Sequence, residues 1–211
     1  SSILKNKLPF RLLAITPGEV SGKTLLRKII SLSKSGIKAV QLRQKHSASG
    51  EVLELAKKLK RNVDGKVTKI IVNDRFDIAL LAGIGGVHAV TNGIPAEFIK
   101  KFCKSMISGK SVHSLAEALQ AEKDGFDYVL FGPVYRTPSK VKFGKPQGLE
   151  KLRVVCSKVS IPVIAVGGIN PIRAEKCLKA GAYGVAAISD IFKSGNIRVK
   201  TAQYKKVLGE L

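Results

Sequence analysis

The chain has 211 residues, 45% of them hydrophobic, and 37 lysines and arginines against 15 acidic residues give it a formal net charge of +22. That length supports one domain, residues 1–211, and excludes a second module beside a barrel-sized core. No apolar stretch approaches the length of a membrane span, and the start, Ser1 to Pro9 with Lys5, Asn6 and Lys7, lacks a continuous apolar signal core.

Eight short apolar runs follow one another: Leu12–Ile15, Ala39–Leu42, Ile70–Val72, Gly86–His88, Met106–Ser108, Tyr128–Phe131, Val163–Val166 and Val185–Ile188. They are too short for helices and rich in β-branched residues, which predicts strands buried on both faces of a parallel sheet. Amphipathic stretches of helical period separate them. Eight strand–helix alternations predict an α/β fold, a single-domain (β/α)8 TIM barrel, whose active site is built by the loops that follow the strands.

Reactive residues do follow the strands. After the second come Arg43 and Lys45, with Gln41 at its end; after the third, Asn73 and Asp74; after the fifth, Ser111 and His113. After the sixth come Thr137, Ser139 and Lys140; Gly167 and Gly168 follow the seventh, and Ile188 and Ser189 close the eighth. Cations, hydroxyls and glycine amides are the parts of a phosphate cradle, and the last two βα loops are a common place for one. The segment Arg136 to Gly148, with Pro138, Gly144, Pro146 and Gly148, reads as a long rim loop of the kind that serves as a lid. Asn196 to Leu211 reads as a basic helix that closes the barrel bottom or meets a partner, and a homo-oligomer stays open.

Three histidines carry three readings. His113 precedes the amphipathic stretch Leu115 to Glu122, so it is placed either for proton transfer at the rim or in a helix start capped by Ser114. His88, at the end of the fourth strand, either faces the mouth or is a satisfied core residue, and His46 is a solvated loop residue. No His, Cys and Asp cluster has metal-ligand spacing, and the three cysteines, Cys103, Cys156 and Cys177, are odd in number and unpatterned. A reducing, cytoplasmic setting is expected.

The basic residues, among them Lys57, Lys58, Lys60, Arg61, Lys100, Lys101, Lys104, Lys200, Lys205 and Lys206, scatter over several helices with little aromatic interleaving. Without a nucleic-acid module they read as a solvated surface, so neither nucleic acid nor membrane is an expected partner. A positive field would draw small anionic substrates to the mouth.

The segments Val40–Lys45, Val72–Ala79, Phe131–Lys140 and Ala165–Ile169 resemble the thiamine phosphate synthase and TenI superfamily, in the family's order, from about Leu12 to Phe192. The resemblance implies thiamine biosynthesis with a small thiazole phosphate substrate, and two activities. A synthase joins hydroxymethylpyrimidine diphosphate to thiazole phosphate and uses Mg²⁺, held by the aspartate of an Asn-Asp-Arg motif, here Asp74, and by the last residue of a Gly-Val-His-Leu-Gly-Gln-x-Asp motif. This chain reads Gly86-Val87-His88-Ala89-Val90-Thr91-Asn92-Gly93-Ile94-Pro95 there, with no carboxylate between His88 and Glu97. The stretches Gly93–Pro95 and Gly109–Ala118 are instead similar to the TenI branch, which aromatises a carboxythiazole phosphate, with His113 at the proton-transfer position. The expected activity is therefore thiazole tautomerisation without cofactor or metal; the synthase is the alternative, with Mg²⁺ on Asp74. The expected ligands of the phosphate and carboxylate are Gln41, Arg43, Lys45, Asn73, Ser111, Thr137, Ser139, Lys140, Gly167, Gly168, Ile188 and Ser189. A ligand-binding regulator without catalysis is a third reading.

Overall fold

A computed structural model describes residues 8–137 and 146–210 of the chain. Eight parallel strands, β1 (Leu12–Ile15), β2 (Ala39–Leu42), β3 (Lys69–Asn73), β4 (Gly86–Ala89), β5 (Ile107–Val112), β6 (Tyr128–Phe131), β7 (Val163–Val166) and β8 (Gly184–Ala187), close in sequence order into a barrel. The seam is the pairing of β1 with β8, Leu13 opposite Ala186. No helix among the described residues is long and apolar enough to cross a membrane.

The helices are α1 (Gly22–Lys34), α2 (Ser49–Asn62), α3 (Phe76–Leu81), α4 (Ala96–Phe102), α5 (Leu115–Lys123), α6 (Gly148–Lys158), α7 (Pro171–Lys179), the short α8 (Ser189–Phe192) and α9 (Ile197–Leu208). In α1 the buried residues are Leu25, Ile29 and Leu32, and in α2 they are Val52, Leu55, Ala56 and Leu59. These spacings place one apolar stripe against the sheet. Asn170 and Asn196 cap α7 and α9, each accepting a bond from the amide three residues on, and Pro171 starts α7 where its missing N–H costs nothing.

Alternate residues of each strand point to two separate cores. Leu12, Val40, Val72, Val129 and Val185 join the helices in the outer layer, with the buried Cys103, Cys156 and Cys177. Leu13, Ile15, Ala39, Ile71, Tyr128, Leu130, Ile164 and Ala186 fill the barrel. Phe10 crosses Tyr128 edge-on, with ring centroids 5.5 Å apart, and Leu8 and Phe10 stop the N-terminal end of the barrel. Two glycines let this interior close. A Cβ on Gly86 would lie 2.8 Å from Ile71, and one on Gly109 only 2.1 Å from Cζ of Tyr128.

Several strand boundaries differ from the sequence expectation: β3 takes in Lys69 and Asn73, so Asn73 is its last residue and does not follow it, β4 takes in Ala89, β5 starts at Ile107 and β8 at Gly184. β5 runs on to Val112, because Ser111 and Val112 pair with Leu130 and Phe131 of β6. Ser111 is thus inside the strand and only His113 follows it. β8 ends at Ala187, so Ile188 is the residue before α8. The C-terminal helix α9 packs beside α7, α1 and α8 in the helical ring. Its end meets the barrel bottom through Arg11, whose guanidinium donates to the carbonyls of Leu208 and Tyr183.

Candidate active site

Inside the barrel, the apolar filling gives way toward the C-terminal strand ends to a polar layer. Gln41, 1% exposed, donates from Nε2 to Oδ1 of Asn73 at 2.8 Å, and its own Oε1 is buried without a partner among the described residues. On the adjacent strand β4, where it pairs in register with Asn73, His88 is fully buried, with Nδ1 3.0 Å from the Tyr128 hydroxyl and Nε2 2.8 Å from Oγ of Ser111. Both ring nitrogens are occupied, which makes His88 the satisfied core histidine of the two sequence readings. Burial, with the Lys110 ammonium as a smaller contribution, pushes its pKa down to about 3.

That shift predicts a pH dependence of stability. Below pH 6.5 the unfolded chain takes up a proton on His88 that the folded chain refuses, so the folded state loses ground as pH falls from 6.5 toward about 3. At full effect one such group contributes about 1.4 kcal/mol per pH unit. Urea midpoints measured between about pH 6.5 and 4.5 should fall more steeply in the wild type than in His88→Gln; parallel slopes would show that His88 is not the source.

His113 stands just beyond β5, half-buried, and its Nδ1 lies 2.5 Å from the carbonyl oxygen of Gly132. A carbonyl only accepts, so Nδ1 carries the hydrogen and Nε2 of the neutral ring keeps the basic lone pair. The cap and the rim position coexist. Ser114 caps α5 by accepting from the Glu117 amide at 3.2 Å, and the Glu117 carboxylate accepts from the His113 amide at 2.8 Å. The helix start therefore fixes the backbone from which the imidazole reaches the rim.

At the β1 and β2 ends, buried Thr16 holds the loop that carries Arg43: its hydroxyl accepts from the Arg43 amide at 2.8 Å and from Gln44 at 3.1 Å. The Arg43 guanidinium makes no ion pair within 4.0 Å among the described residues. Desolvation lowers its pKa, with the Glu19 charge acting weakly in the other direction. A half-buried cation of this kind is set up for an anionic ligand. Lys45 on the same loop is exposed, and so is His46.

The turns after β7 and β8 form a second wall, which adjoins the first because β8 pairs with β1. Gly167 and Gly168 have φ of 104° and 64°, and their amides find no acceptor among the described residues. A Cβ on Gly168 would come within 3.0 Å of the Arg136 carbonyl and 3.1 Å of the Arg173 guanidinium. Ser189 begins the short α8, whose first amides are likewise unused within the helix. Thr137 is half-buried, its hydroxyl unpartnered among the described residues. Ser139 and Lys140 lie outside the described residues, as does most of the expected lid.

Asp74 is the one non-glycine described residue with positive φ, 62°, and its amide donates to the His88 carbonyl at 2.8 Å. Its side chain is exposed just beyond the end of β3. Counted along the eight-residue motif, the second carboxylate position falls on Gly93. A Cβ there would lie 2.7 Å from Oδ1 of Asp74, so position 93 faces Asp74 and offers it no side chain. Among the described residues no three His, Cys, Asp or Glu side chains gather to hold a metal. Mg²⁺ is commonly held by one or two carboxylates with substrate phosphates supplying the rest, and Asp74 alone meets the lower number.

Sequence reasoning did not single out Thr16, Lys110, Arg173 or Tyr204. Lys110 ties the β4 loop to β5, donating to the carbonyls of Val90 at 2.7 Å and Thr91 at 3.2 Å. Its signal was available only as the continuation of β5, since the strand alternation that points Ser111 inward points Lys110 outward.

The chain is similar to known proteins over most of its length. The family model described as thiamine monophosphate synthase matches residues 12–191. A putative thiamine-phosphate synthase of Geobacter sulfurreducens is 39% identical over 187 residues, 88% of each chain. The thiamine-phosphate synthase of Pyrococcus furiosus is 35% identical over 208 residues, covering 99% of this chain and 98% of the relative. The solved structure of thiamine phosphate pyrophosphorylase from Pyrococcus furiosus superposes with a TM-score of 0.86 at 33% identity, over 96% of both chains.

Proposed function

The chain belongs to the thiamine monophosphate synthase family, and on that premise we propose that it forms thiamine phosphate by joining a pyrimidine diphosphate to a thiazole phosphate. The observation that carries the reading is the Arg43 guanidinium, half-buried and without an ion pair among the described residues, on the same rim as the unused amides of Gly167 and Gly168. Two anionic ends need two such walls. The names of the relatives favour this transferase over the isomerase expected from the sequence.

In this reading the thiazole phosphate rests on the backbone of Gly167, Gly168, Ile188 and Ser189. Arg43 and Lys45, with Lys140 from the loop after β6, bind the diphosphate and stabilise the charge that grows on the leaving pyrophosphate. The buried Oε1 of Gln41 accepts a hydrogen bond from the pyrimidine, and Asn73 holds the Gln41 amide in place. The thiazole nitrogen then attacks the methylene carbon as the carbon–oxygen bond to pyrophosphate breaks. Asp74 would hold Mg²⁺, which when bound neutralises diphosphate charge.

A second reading, thiazole tautomerisation, is favoured by two observations: Gly93 in the second carboxylate position, and His113 with a free basic nitrogen at the rim. Offering the purified protein both substrate sets decides between them. Condensation should appear with Mg²⁺, vanish with EDTA, return with added Mg²⁺ and fall at least about tenfold in Asp74→Asn, the cost of one charged hydrogen-bonding partner. Isomerisation that survives EDTA, with no condensation at any Mg²⁺ concentration, would overturn the transferase.

A further inference from the structure

We infer that Tyr204, on the C-terminal helix, is a positioning residue that braces the phosphate-binding turns of this site from behind. This rests on the assignment of the phosphate to Gly167, Gly168 and Ser189.

The two turns come from different strands, and neither is bonded to the other by a backbone pair among the described residues. Tyr204 spans them. Its hydroxyl lies 2.8 Å from Oδ2 of Asp190, next to Ser189, and 3.2 Å from the carbonyl oxygen of Ile169, next to Gly168. One hydroxyl proton thus faces an acceptor on each turn, with the shorter arm to the carboxylate. Asp190 is also 3.5 Å from the Lys200 ammonium, itself on α9, so one helix supplies both partners of that carboxylate.

The tie is rigid for physical reasons. Tyr204 is completely buried, so its ring has no freedom to follow a moving turn. Burial and the neighbouring Asp190 carboxylate push its pKa up, which keeps the hydroxyl a donor through the working pH range. The neighbouring carbonyl of Gly168 is held separately: Arg173 donates to it at 2.7 Å while stacking over Tyr135, 4.8 Å from the ring centroid. Lys28 secures the far end of α8 by donating to the Phe192 carbonyl at 2.6 Å. The carbonyls of Val166 and Gly167, which share peptide planes with the amides of Gly167 and Gly168, accept from the amides of Val134 at 2.8 Å and Tyr135 at 3.1 Å, so these bonds orient the two glycine amides while Tyr204 ties the turn to its neighbour. The cradle is thereby ordered before any anion arrives, which lowers the cost of binding.

Tyr204→Phe removes one oxygen atom and keeps the ring. With inorganic phosphate as the probe, titrated while following the amide resonances of Gly167, Gly168 and Ser189, affinity should fall about tenfold, the size of one structural hydrogen bond. Turnover should show the same loss in KM, with kcat at saturating substrate changed by less than about twofold. Tyr183→Phe supplies the control, because its hydroxyl bonds the Leu8 carbonyl at 2.8 Å at the other end of the barrel. It should cost stability without moving phosphate affinity; an equal loss of affinity there would mean that general loosening, and not the brace, is measured.

Gly168→Val separates the brace from the cradle. Unchanged phosphate affinity in that variant overturns both. Weakened binding in Gly168→Val with unaltered binding in Tyr204→Phe overturns the brace alone. If Tyr204→Phe fails to fold, Asp190→Ala carries the same test, since it removes the acceptor that the Tyr204 hydroxyl holds; unaltered phosphate affinity there overturns the proposal.

Discussion

Replacing His113 with asparagine is expected to separate the two reactions open to this site. Isomerisation should fall about 10²- to 10⁴-fold, toward the upper end, because one imidazole would both remove and return the proton. Condensation should fall by no more than about tenfold, the size of one lost hydrogen bond. The difference follows from the chemistry at the thiazole ring: alkylation of the ring nitrogen moves no proton, whereas aromatisation moves one between ring and exocyclic carbon. Asparagine can still donate to the Gly132 carbonyl that Nδ1 holds at 2.5 Å, so the loop keeps its anchor. What it lacks is the basic nitrogen. Single-turnover measurements of both reactions, with ligand affinity alongside, would test this: undiminished isomerisation in His113→Asn removes His113 from proton transfer. His88→Asn should leave any isomerisation within about tenfold, since both nitrogens of His88 are already bonded inside the barrel.

Gly109→Ala should produce a large loss of stability from a single methyl group. The added Cβ would sit 2.1 Å from Cζ of Tyr128 and 2.5 Å from its hydroxyl oxygen. Tyr128 cannot step aside: it is fully buried, bonded to His88 at 3.0 Å and crossed by Phe10. Overpacking of a rigid core costs about 3 kcal/mol at the upper end of its usual range, and for a chain of this size each kcal/mol lowers Tm by about 2–4 °C. A drop of about 6–12 °C is expected by calorimetry. Tyr128→Leu in the same chain should recover part of it, since the aromatic atoms that collide are gone. Additive losses in the double variant would mean that the two positions do not meet.

The eight strands and the barrel were legible in the sequence because each signal is local. A run such as Val163–Val166 has no polar face, and the helical spacing of Leu25, Ile29 and Leu32 is set within one segment. The rim residues were legible for the same reason: in a barrel, whatever follows a strand lies at the mouth. Gly167, Gly168, Arg43 and His113 could be placed after strands without coordinates, whereas Asn73 proved to be the last residue of β3. Even the absent second carboxylate was visible, as a stretch between His88 and Glu97 that carries no acid.

Only the tertiary structure decided what each of those residues has for neighbours. His88 read equally as a mouth residue or a core residue until β6, 40 positions later, brought Tyr128 against it. The end of β5 depended on its register with β6, which placed Ser111 inside the strand. Gly93 became the position facing Asp74 because β3 and β4 are adjacent, and Tyr204 became the tie between two turns because α9 packs beside α7 and α8. Backbone preference and hydrophobic period act over a few residues and can be read from the chain. The partner of a buried hydroxyl or carboxylate is chosen by packing between segments far apart in sequence, where desolvation forces each polar atom to find whatever the fold has set beside it.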